Sequence, residues 1–170
     1  LPLLLMLYQI RPWDILRSAW PALVMASVTK SSTATLPLTM DCAKRRAQFS
    51  KERTEMILPL CATVNMNACS AFIYVTVLFV AQINGVEFST TDHIIWVFLS
   101  VVAAFGNAGV PMGCYFMATA YLVNMNVPTE MMGLILPFYT VLDMIETPIN
   151  VWSDFSILAI LDRRKTLEAM

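Results

Sequence analysis

Residues 94–129 of the 170-residue chain read IIWVFLSVVAAFGNAGVPMGCYFMATAYLVNMNVPT and contain no charged side chain. The first apolar arm, residues 94–105, reaches ~18 Å as a helix, which is about half of the ~30 Å hydrocarbon core of a bilayer. Residues 106–113 are rich in glycine and proline, which do not support a continuous helix interior. The stretch therefore predicts a re-entrant helical hairpin, which enters a membrane and returns to the same side.

The composition of the whole chain is typical of an integral membrane protein. Hydrophobic residues make up 58% and charged residues 14%, whereas a soluble domain is about 25% charged. No lysine or arginine lies between Arg53 and Arg163, and residues 56–86 form a second uncharged run that is long enough to span a bilayer. The hydropathy excludes intrinsic disorder, and the net charge of −1 provides no basic field for nucleic acid. We therefore expect an all-α integral membrane chain.

The distribution of charge predicts the topology. Lysine and arginine collect on the cytoplasmic side of short loops, which assigns residues 44–53 and 163–165 to the cytoplasm and the acidic loop 84–93 to the outside. Residues 18–41 then begin and end in the cytoplasm, and the polar sequence KSSTATLP at 30–37 lies in their middle. This segment predicts a second re-entrant hairpin, which enters from the opposite side. Two interrupted hydrophobic segments of this kind indicate the binding site of a transporter.

The predicted organisation has five parts. They are the end of a preceding transmembrane helix (1–10), re-entrant hairpin 1 (11–46), a broken transmembrane helix (54–84), re-entrant hairpin 2 (94–126) and the last transmembrane helix (129–162). Each hairpin is thus expected to precede a broken spanning helix, which is an inverted repeat in topology. Because Leu1 lies inside an apolar stretch, we expect a C-terminal fragment that forms one partial transport domain.

The last helix carries many polar residues for a membrane span. At ~100° per residue, five of them share an arc of about 100°: Asp143, Glu146, Thr147, Asn150 and Asp154. One aspartate at the centre of a membrane helix costs about 3 kcal/mol, and this helix has no basic residue before Arg163. The polar stripe therefore requires a polar cavity, protons or cations, with polar packing between helices as the structural alternative.

These polar groups suit the binding of an amino acid and a hard cation. Oxygen ligands suit Na⁺, and they are provided by Asp154, Asn150 and carbonyls freed by a helix break near residues 65–67. Asp143 suits a substrate ammonium group, and N–H groups at the serine-rich tip 30–37 suit a carboxylate. The four cysteines have no metal-binding or redox spacing, and no catalytic triad, phosphate loop or CxxC motif indicates an enzyme.

Four short motifs occur in order along the chain. They are KSSTATLP at 30–37, LPL at 58–60 followed by NMNAC at 65–69, and GVP at 109–111, and the fourth is formed on the last helix by Asp143, Thr147, Asn150 and Asp154. With these motifs the chain resembles the dicarboxylate/amino acid:cation symporter family, the glutamate-transporter-like proteins, whose motifs read RSSSGTLP, LPL with NMDGT, and GVP. The resemblance covers essentially the whole chain.

The resemblance implies a substrate site. Ser32 and Val110 are expected to contact the substrate through their backbones, and Asp143 to hold its amino group. Thr147 and Asn150 are expected to orient the substrate. The full set of expected substrate-binding residues is Ser32, Cys69, Val110, Asp143, Glu146, Thr147 and Asn150.

The resemblance also implies two sodium sites. The first is formed by Asn65, Asn150 and Asp154, and the second by the carbonyls of Thr63, Met66 and Phe105. In the resembling family the outer hairpin closes the second site and acts as a gate. The hairpins and the last two helices move as a unit against a trimeric scaffold, so a homotrimer is expected for the full-length protein.

Several departures from the family pattern bear on the substrate. Glu146 stands where acid-selective members have an arginine, Cys69 replaces a threonine, and Cys114 replaces a glycine. Asn67 replaces an aspartate, and Pro148 enters the last helix where the family usually has none. Because a glutamate repels a second carboxylate, Glu146 favours a neutral or cationic amino acid as the substrate, whereas the other changes leave the cation count and the substrate open.

We therefore expect a secondary active symporter that moves an amino acid or dicarboxylate-like substrate with sodium, or alternatively protons, by alternating access. A non-transporting remnant and a channel-like pore are the alternative interpretations. The expected location is the cell membrane, plasma or inner, in which the chain is a multi-pass protein. The expected partners are the lipid bilayer and a small amino acid, without nucleic acid or an organic cofactor.

Overall fold

The computed structural model describes residues 1–107, 110 and 112–168, with side chains described through Arg163. Gly109 and Pro111 of the second tip motif lie outside the described residues. Over the described ranges the chain is helical and contains no β-strand, which confirms the all-α prediction. The helices are α1 Pro2–Leu7, α2 Pro12–Thr29, α3 Ser32–Asp41, a π-helical turn Cys42–Arg46, α4 Lys51–Val64, α5 Asn67–Ile83, α6 Thr90–Gly106, α7 Gly113–Asn124 and α8 Glu130–Glu168.

Within the part of the chain that the structure describes, two helical stretches are long and apolar enough to cross a membrane. They are Lys51–Ile83, which comprises α4 and α5, and Glu130–Arg163 of α8. Only 33% and 22% of their most apolar windows are buried within the protein, whereas the core helix of a soluble protein would be mostly buried. Large side chains such as Trp13, Phe98 and Phe138 are also exposed. Extensive apolar surface of this kind fits a lipid environment.

The helices divide into two compact units. The first unit comprises Leu1–Asn65 and Thr147–Met170, and the second comprises Met66–Glu146. The chain therefore passes from one unit to the other at the end of α4 and again within α8. Each unit has its own cluster of buried apolar side chains.

In the first unit, α2 and α3 form a helical hairpin. Lys30 adopts the left-handed conformation (φ 52°) and ends α2, and the Oγ atom of Ser31 accepts a hydrogen bond from the backbone N–H of Ala34 (3.2 Å) to start α3. Arg46 Nη2 donates to the carbonyl of Arg17 (3.1 Å), so the far ends of the two arms lie together. The arms therefore run back along each other as a helical hairpin.

The core of the first unit combines small and large side chains. Ala19 and Ala22 of α2 are fully buried, and small residues let helices approach closely. The ring of Phe155 on α8 is also fully buried and lies 5.5 Å from the ring of Phe49. This packing holds the C-terminal half of α8 within the first unit.

In the second unit, α6 and α7 form another hairpin. The hydroxyl of Tyr121 donates to the carbonyl of Leu99 (3.3 Å), and its ring packs edge-on against Trp96 at 5.2 Å. These contacts join the early part of α6 to the end of α7, so the arms are antiparallel. A Cβ atom at Gly113 would lie 2.9 Å from Cβ of Asn107, which is too close, so only glycine fits at the start of α7.

The two spanning helices differ in continuity. Asn65 (φ −92°, ψ 77°) and Met66 (φ −106°, ψ 52°) are both non-helical, so the predicted break between α4 and α5 is present. In contrast, α8 is continuous from Glu130 to Glu168, and the prediction of a broken helix after the second hairpin is wrong. Pro148 lacks only its own N–H and frees only the carbonyl of Met144. The hydrogen bonds of neighbouring residues carry the helix past that position.

Candidate functional site

The break between α4 and α5 lies beside a buried carboxylate of α8. Asn65 Nδ2 donates a hydrogen bond of 2.7 Å to Oδ1 of Asp154, and both residues belong to the first unit. Asp154 is 3% exposed. Because α4 ends at Val64, carbonyls of its last turn lack intrahelical donors and remain able to bind a ligand.

The negative charge of Asp154 is not balanced by a basic side chain. Across the part of the chain that the structure describes, Asp154 forms no ion pair, and its hydrogen-bond donor is the neutral amide of Asn65. A buried charge requires compensation by an opposite charge or a proton. Asn150 lies one helical turn before Asp154 and is 2% exposed. The structure thus brings the three residues of the predicted first sodium site into one unit.

The carbonyls of the predicted second sodium site are distributed between the units. Thr63 lies in the last turn of α4, in the first unit. In the second unit, the carbonyl of Met66 accepts from the N–H of Ser70 (3.0 Å), and the carbonyl of Phe105 accepts from the N–H of Asn107. Each carbonyl has a second lone pair for a cation. Their assignment to one sodium ion remains a prediction.

The tip of the first hairpin is built from hydroxyl side chains. Ser32 is buried at the first position of α3, where backbone N–H groups lack intrahelical acceptors. Thr35 Oγ1 donates to the carbonyl of Ser31 (2.8 Å) and lies 3.0 Å from Oγ1 of Thr29. These bonds hold the turn, and the N–H groups at the first positions of α3 suit a substrate carboxylate.

At the tip of the second hairpin, the backbone of Val110 forms part of a turn. The N–H of Val110 donates to the carbonyl of Asn107, and its carbonyl accepts from the N–H of Gly113, both at 3.0 Å. The side chain of Val110 is exposed. An N–H contact between Val110 and a substrate would therefore replace the bond to Asn107, whereas its carbonyl keeps a second lone pair. The expected contact remains a prediction.

Two thiols and one carboxylate lie together in the second unit. Sγ of Cys69, Sγ of Cys114 and a carboxylate oxygen of Glu146 all lie within 4.8 Å of one another. Cys69 is in the first turn of α5, Cys114 is in the first turn of α7, and Glu146 is on α8. All three positions are among the expected departures from the motifs of the resembling family. The sequence pointed to Cys69 and Glu146 as site residues but not to Cys114, because its proximity to the other two arises from tertiary packing.

The remaining site residues lie on α8. Asp143 is half-buried, one turn before Glu146, and belongs to the second unit, whereas Thr147 is buried and belongs to the first. Upstream on the same helix, the ring of Tyr139 packs against Phe72 at 4.9 Å. The polar residues of α8 are thus divided between the two units. Asp143 and Glu146 belong to the second unit, and Thr147, Asn150 and Asp154 belong to the first.

A comparison with known families identifies the chain's relatives. The profile of the sodium:dicarboxylate symporter family matches residues 1–164. The chain belongs to the sodium:dicarboxylate symporter family. This membership confirms the resemblance that the four motifs indicated. A family of transporters also accounts for the apolar helices, and the chain is a multi-pass protein of the cell membrane, as predicted.

Individual members of the family align with most of the chain. It is 33% identical to excitatory amino acid transporter 3 of Mus musculus over 151 residues, which cover 88% of the chain and 29% of the relative. It is 32% identical to excitatory amino acid transporter 1 of Homo sapiens over 143 residues, which cover 84% of the chain and 26% of the relative. For excitatory amino acid transporter 3 of Bos taurus the identity is 31% over 161 residues, which cover 94% of the chain and 31% of the relative. The chain spans less than a third of the length of these relatives.

Proposed function

We propose that the chain is the substrate- and ion-binding part of a secondary active symporter that moves an amino acid together with sodium by alternating access. Membership of the sodium:dicarboxylate symporter family supports this function. The single observation that carries it is the buried carboxylate of Asp154, whose donor is the neutral amide of Asn65 beside a helix break. This arrangement supplies oxygen ligands and one uncompensated negative charge, which is what a monovalent cation requires.

Sodium is the coupling ion that fits these ligands best. Asp154 and Asn150 offer hard oxygen atoms, and the last turn of α4 offers carbonyls, Thr63 among them. A proton is the alternative, since protonation of Asp154 would also remove the charge. The two ions differ in a measurable way, because a proton-coupled transporter would work without sodium.

The substrate that we propose is a neutral or cationic amino acid. Asp143 binds its amino group, and the first N–H groups of α3 at Ser32 bind its carboxylate, with Thr147 and Asn150 orienting it. The relatives are named excitatory amino acid transporters, but Glu146 is a buried acid in this chain. At 4 Å and an effective dielectric of ~20, two like charges repel by about 4 kcal/mol. This repulsion disfavours a substrate with an acidic side chain.

The membrane arrangement belongs to the same proposal. Residues 11–46 and 94–126 enter from opposite faces as re-entrant hairpins, and residues 54–84 and 129–162 span the bilayer. Together they form a partial transport domain, in which residues 1–10 end a preceding helix. In the full-length protein this domain moves against a scaffold that assembles as a homotrimer.

Uptake into vesicles tests the function. The full-length transporter that contains this chain is reconstituted, and labelled serine, alanine, lysine and aspartate are offered under a sodium gradient and, separately, under a proton gradient. Saturable uptake that follows the sodium gradient and supports counterflow is the expected result. Substrate-independent conductance would instead indicate a pore, and absence of both binding and uptake would indicate a non-transporting remnant.

A further inference from the structure

A compact group of metal-binding atoms lies inside the second unit. Two thiol sulfurs, from Cys69 and Cys114, and a carboxylate oxygen of Glu146 lie within 4.8 Å of one another. We propose that these three residues form a binding site for a thiophilic divalent cation of the Zn²⁺ class. The site is distinct in its chemistry from the all-oxygen sodium sites.

The spacing of the three atoms suits a tetrahedral ion. Zn–S bonds are ~2.3 Å and Zn–O bonds are about 2.0–2.2 Å, so two sulfur ligands of one tetrahedral ion lie about 3.8 Å apart. Atoms that already lie within 4.8 Å therefore need to approach by about 1 Å or less. Cys69 and Cys114 are both in the first turns of their helices, and we expect rotation of the two side chains to bring about this approach.

The burial of the Glu146 carboxylate also points to a ligand. Glu146 is 7% exposed, and within the described residues no N–H or O–H group donates to either of its oxygens, so the weakly donating thiols of Cys69 and Cys114 are the polar side chains beside it. A buried polar group without a partner is unfavourable. Residues 66–146 contain no lysine or arginine, and His93, the only histidine of the chain, is engaged with the hydroxyl of Tyr74 at 2.9 Å. A bound cation would supply the charge that this part of the chain lacks.

The ligand types favour a soft or borderline cation. Thiolates bind Zn²⁺ and Cd²⁺, whereas Mg²⁺ and Ca²⁺ prefer oxygen ligands. Coordination requires deprotonated thiols, so binding releases their protons to solvent and becomes stronger as the pH rises. Three protein ligands leave the fourth tetrahedral position open for water or for a further group.

Occupancy of the site has a structural consequence. One ion would tie the first turns of α5 and α7 to α8, and α7 directly follows the tip of the second hairpin. It would also occupy Glu146, which faces the substrate side chain in the function that we propose. We also expect the metal ion to compete with a cationic amino acid. This further expectation rests on the proposed function alone.

Titration with Cd²⁺ tests the site directly, because Cd²⁺–thiolate bonds absorb in the ultraviolet. The full-length protein carrying Cys42→Ala and Cys61→Ala is used, since both of these cysteines belong to the first unit. We expect a charge-transfer band that saturates at one Cd²⁺ per chain and is reversed by a chelator. Excess Mg²⁺ should not displace the ion.

Variants of the three ligands decide the assignment. Cys69→Ser and Cys114→Ser should each weaken Cd²⁺ binding about 100-fold or more, because loss of even an outer-shell partner costs about 10- to 100-fold. Glu146→Gln keeps the shape and both thiols, so it should retain the band but weaken the affinity. An unchanged affinity in Glu146→Gln, or a band that survives loss of both cysteines, would overturn the proposal. Because this readout requires no transport, it separates the metal site from the proposed function, which fails instead if no sodium-driven uptake is found.

Discussion

Asn65 Nδ2 lies 2.7 Å from a carboxylate oxygen of Asp154, although the two residues are 89 positions apart in the sequence. The contact joins the end of α4 to the second half of α8 within the first unit. Asp154 carries a charge, whereas the amide of Asn65 carries only a dipole. Asn65 therefore orients the carboxylate of Asp154 without neutralising it. A cation that binds the remaining carboxylate oxygen would complete the arrangement.

The first prediction is that Asp154→Asn weakens sodium-dependent substrate binding. The substitution keeps the size of the side chain but removes the charge that holds the ion. Interactions with a charged group contribute about 1.5–3 kcal/mol, or roughly 10- to 100-fold in affinity. The measurement is substrate binding by the full-length transporter as a function of sodium concentration.

Asp162→Asn provides the matched control for this experiment. Asp162 lies on the same helix and pairs with Arg53 at 3.2 Å. Because Asp162 already has a basic counter-charge, its substitution should leave the sodium dependence nearly unchanged. If Asp154→Asn behaves like this control, Asp154 is not a sodium ligand.

Much of the helical architecture could be predicted from local sequence. The charge-free arm at residues 94–105 predicted a helix that the structure extends to Thr90–Gly106. The earlier start follows from a capping box, in which Oγ of Ser89 accepts from the N–H of Asp92 and the carboxylate of Asp92 accepts from the N–H of Ser89. The break at residues 65–66 was also predictable, since Asn65 and Asn67 interrupt an apolar run there.

Other features depend on contacts that sequence patterns do not contain. Cys114 follows Cys69 by 45 positions and precedes Glu146 by 32, and only the packing of α5, α7 and α8 in the second unit brings the three together. The predicted break in α8 was wrong for a different reason. A proline in a helix removes one hydrogen bond, and the fate of the helix then depends on the packing around Pro148.

The second prediction concerns the capping box. Hydrogen bonds from the side chain and the backbone N–H of Ser89 hold the pKa of Asp92 below its ordinary value of 3.8. Asp92 lies in the first turn of α6, before the apolar arm that begins at residue 94. Ser89→Ala should therefore raise the pKa of Asp92 towards 3.8, as measured by carbon NMR titration of labelled aspartate in micelles.

The sign of the pH effect follows from that lowered pKa. The charged form of Asp92 stabilises the start of α6 above pH 3.8, and this contribution is lost as the pH falls through the lowered pKa of the folded state. Ser50→Ala is a suitable control, because Ser50 precedes α4 without a side-chain cap. A pKa of Asp92 that is equal in Ser89→Ala and in the unsubstituted protein would contradict this account.

The third prediction tests the membrane topology. Glu87 and Lys51 are both exposed, and we expect them on opposite sides of the membrane. Glu87→Cys should react with an impermeant thiol reagent added to sealed cells, whereas Lys51→Cys should react only after permeabilisation. Equal labelling of both positions in sealed cells would be inconsistent with hairpins that enter from opposite faces.

The last prediction concerns the choice of substrate. Glu146 is buried and lies one turn after Asp143, so an acidic substrate held by its amino group at Asp143 would bring a second carboxylate close to Glu146. Glu146→Arg replaces this repulsion with a bidentate donor for a carboxylate. We expect the substitution to reverse the order of affinities, from serine, alanine or lysine over aspartate to aspartate over all three. Glu146→Gln, which removes the charge without adding a donor, should weaken the discrimination against aspartate without reversing it. Competition binding at pH 7 in the presence of sodium distinguishes these outcomes. If the unsubstituted transporter already binds aspartate more tightly than the other three, Glu146 does not determine the selectivity.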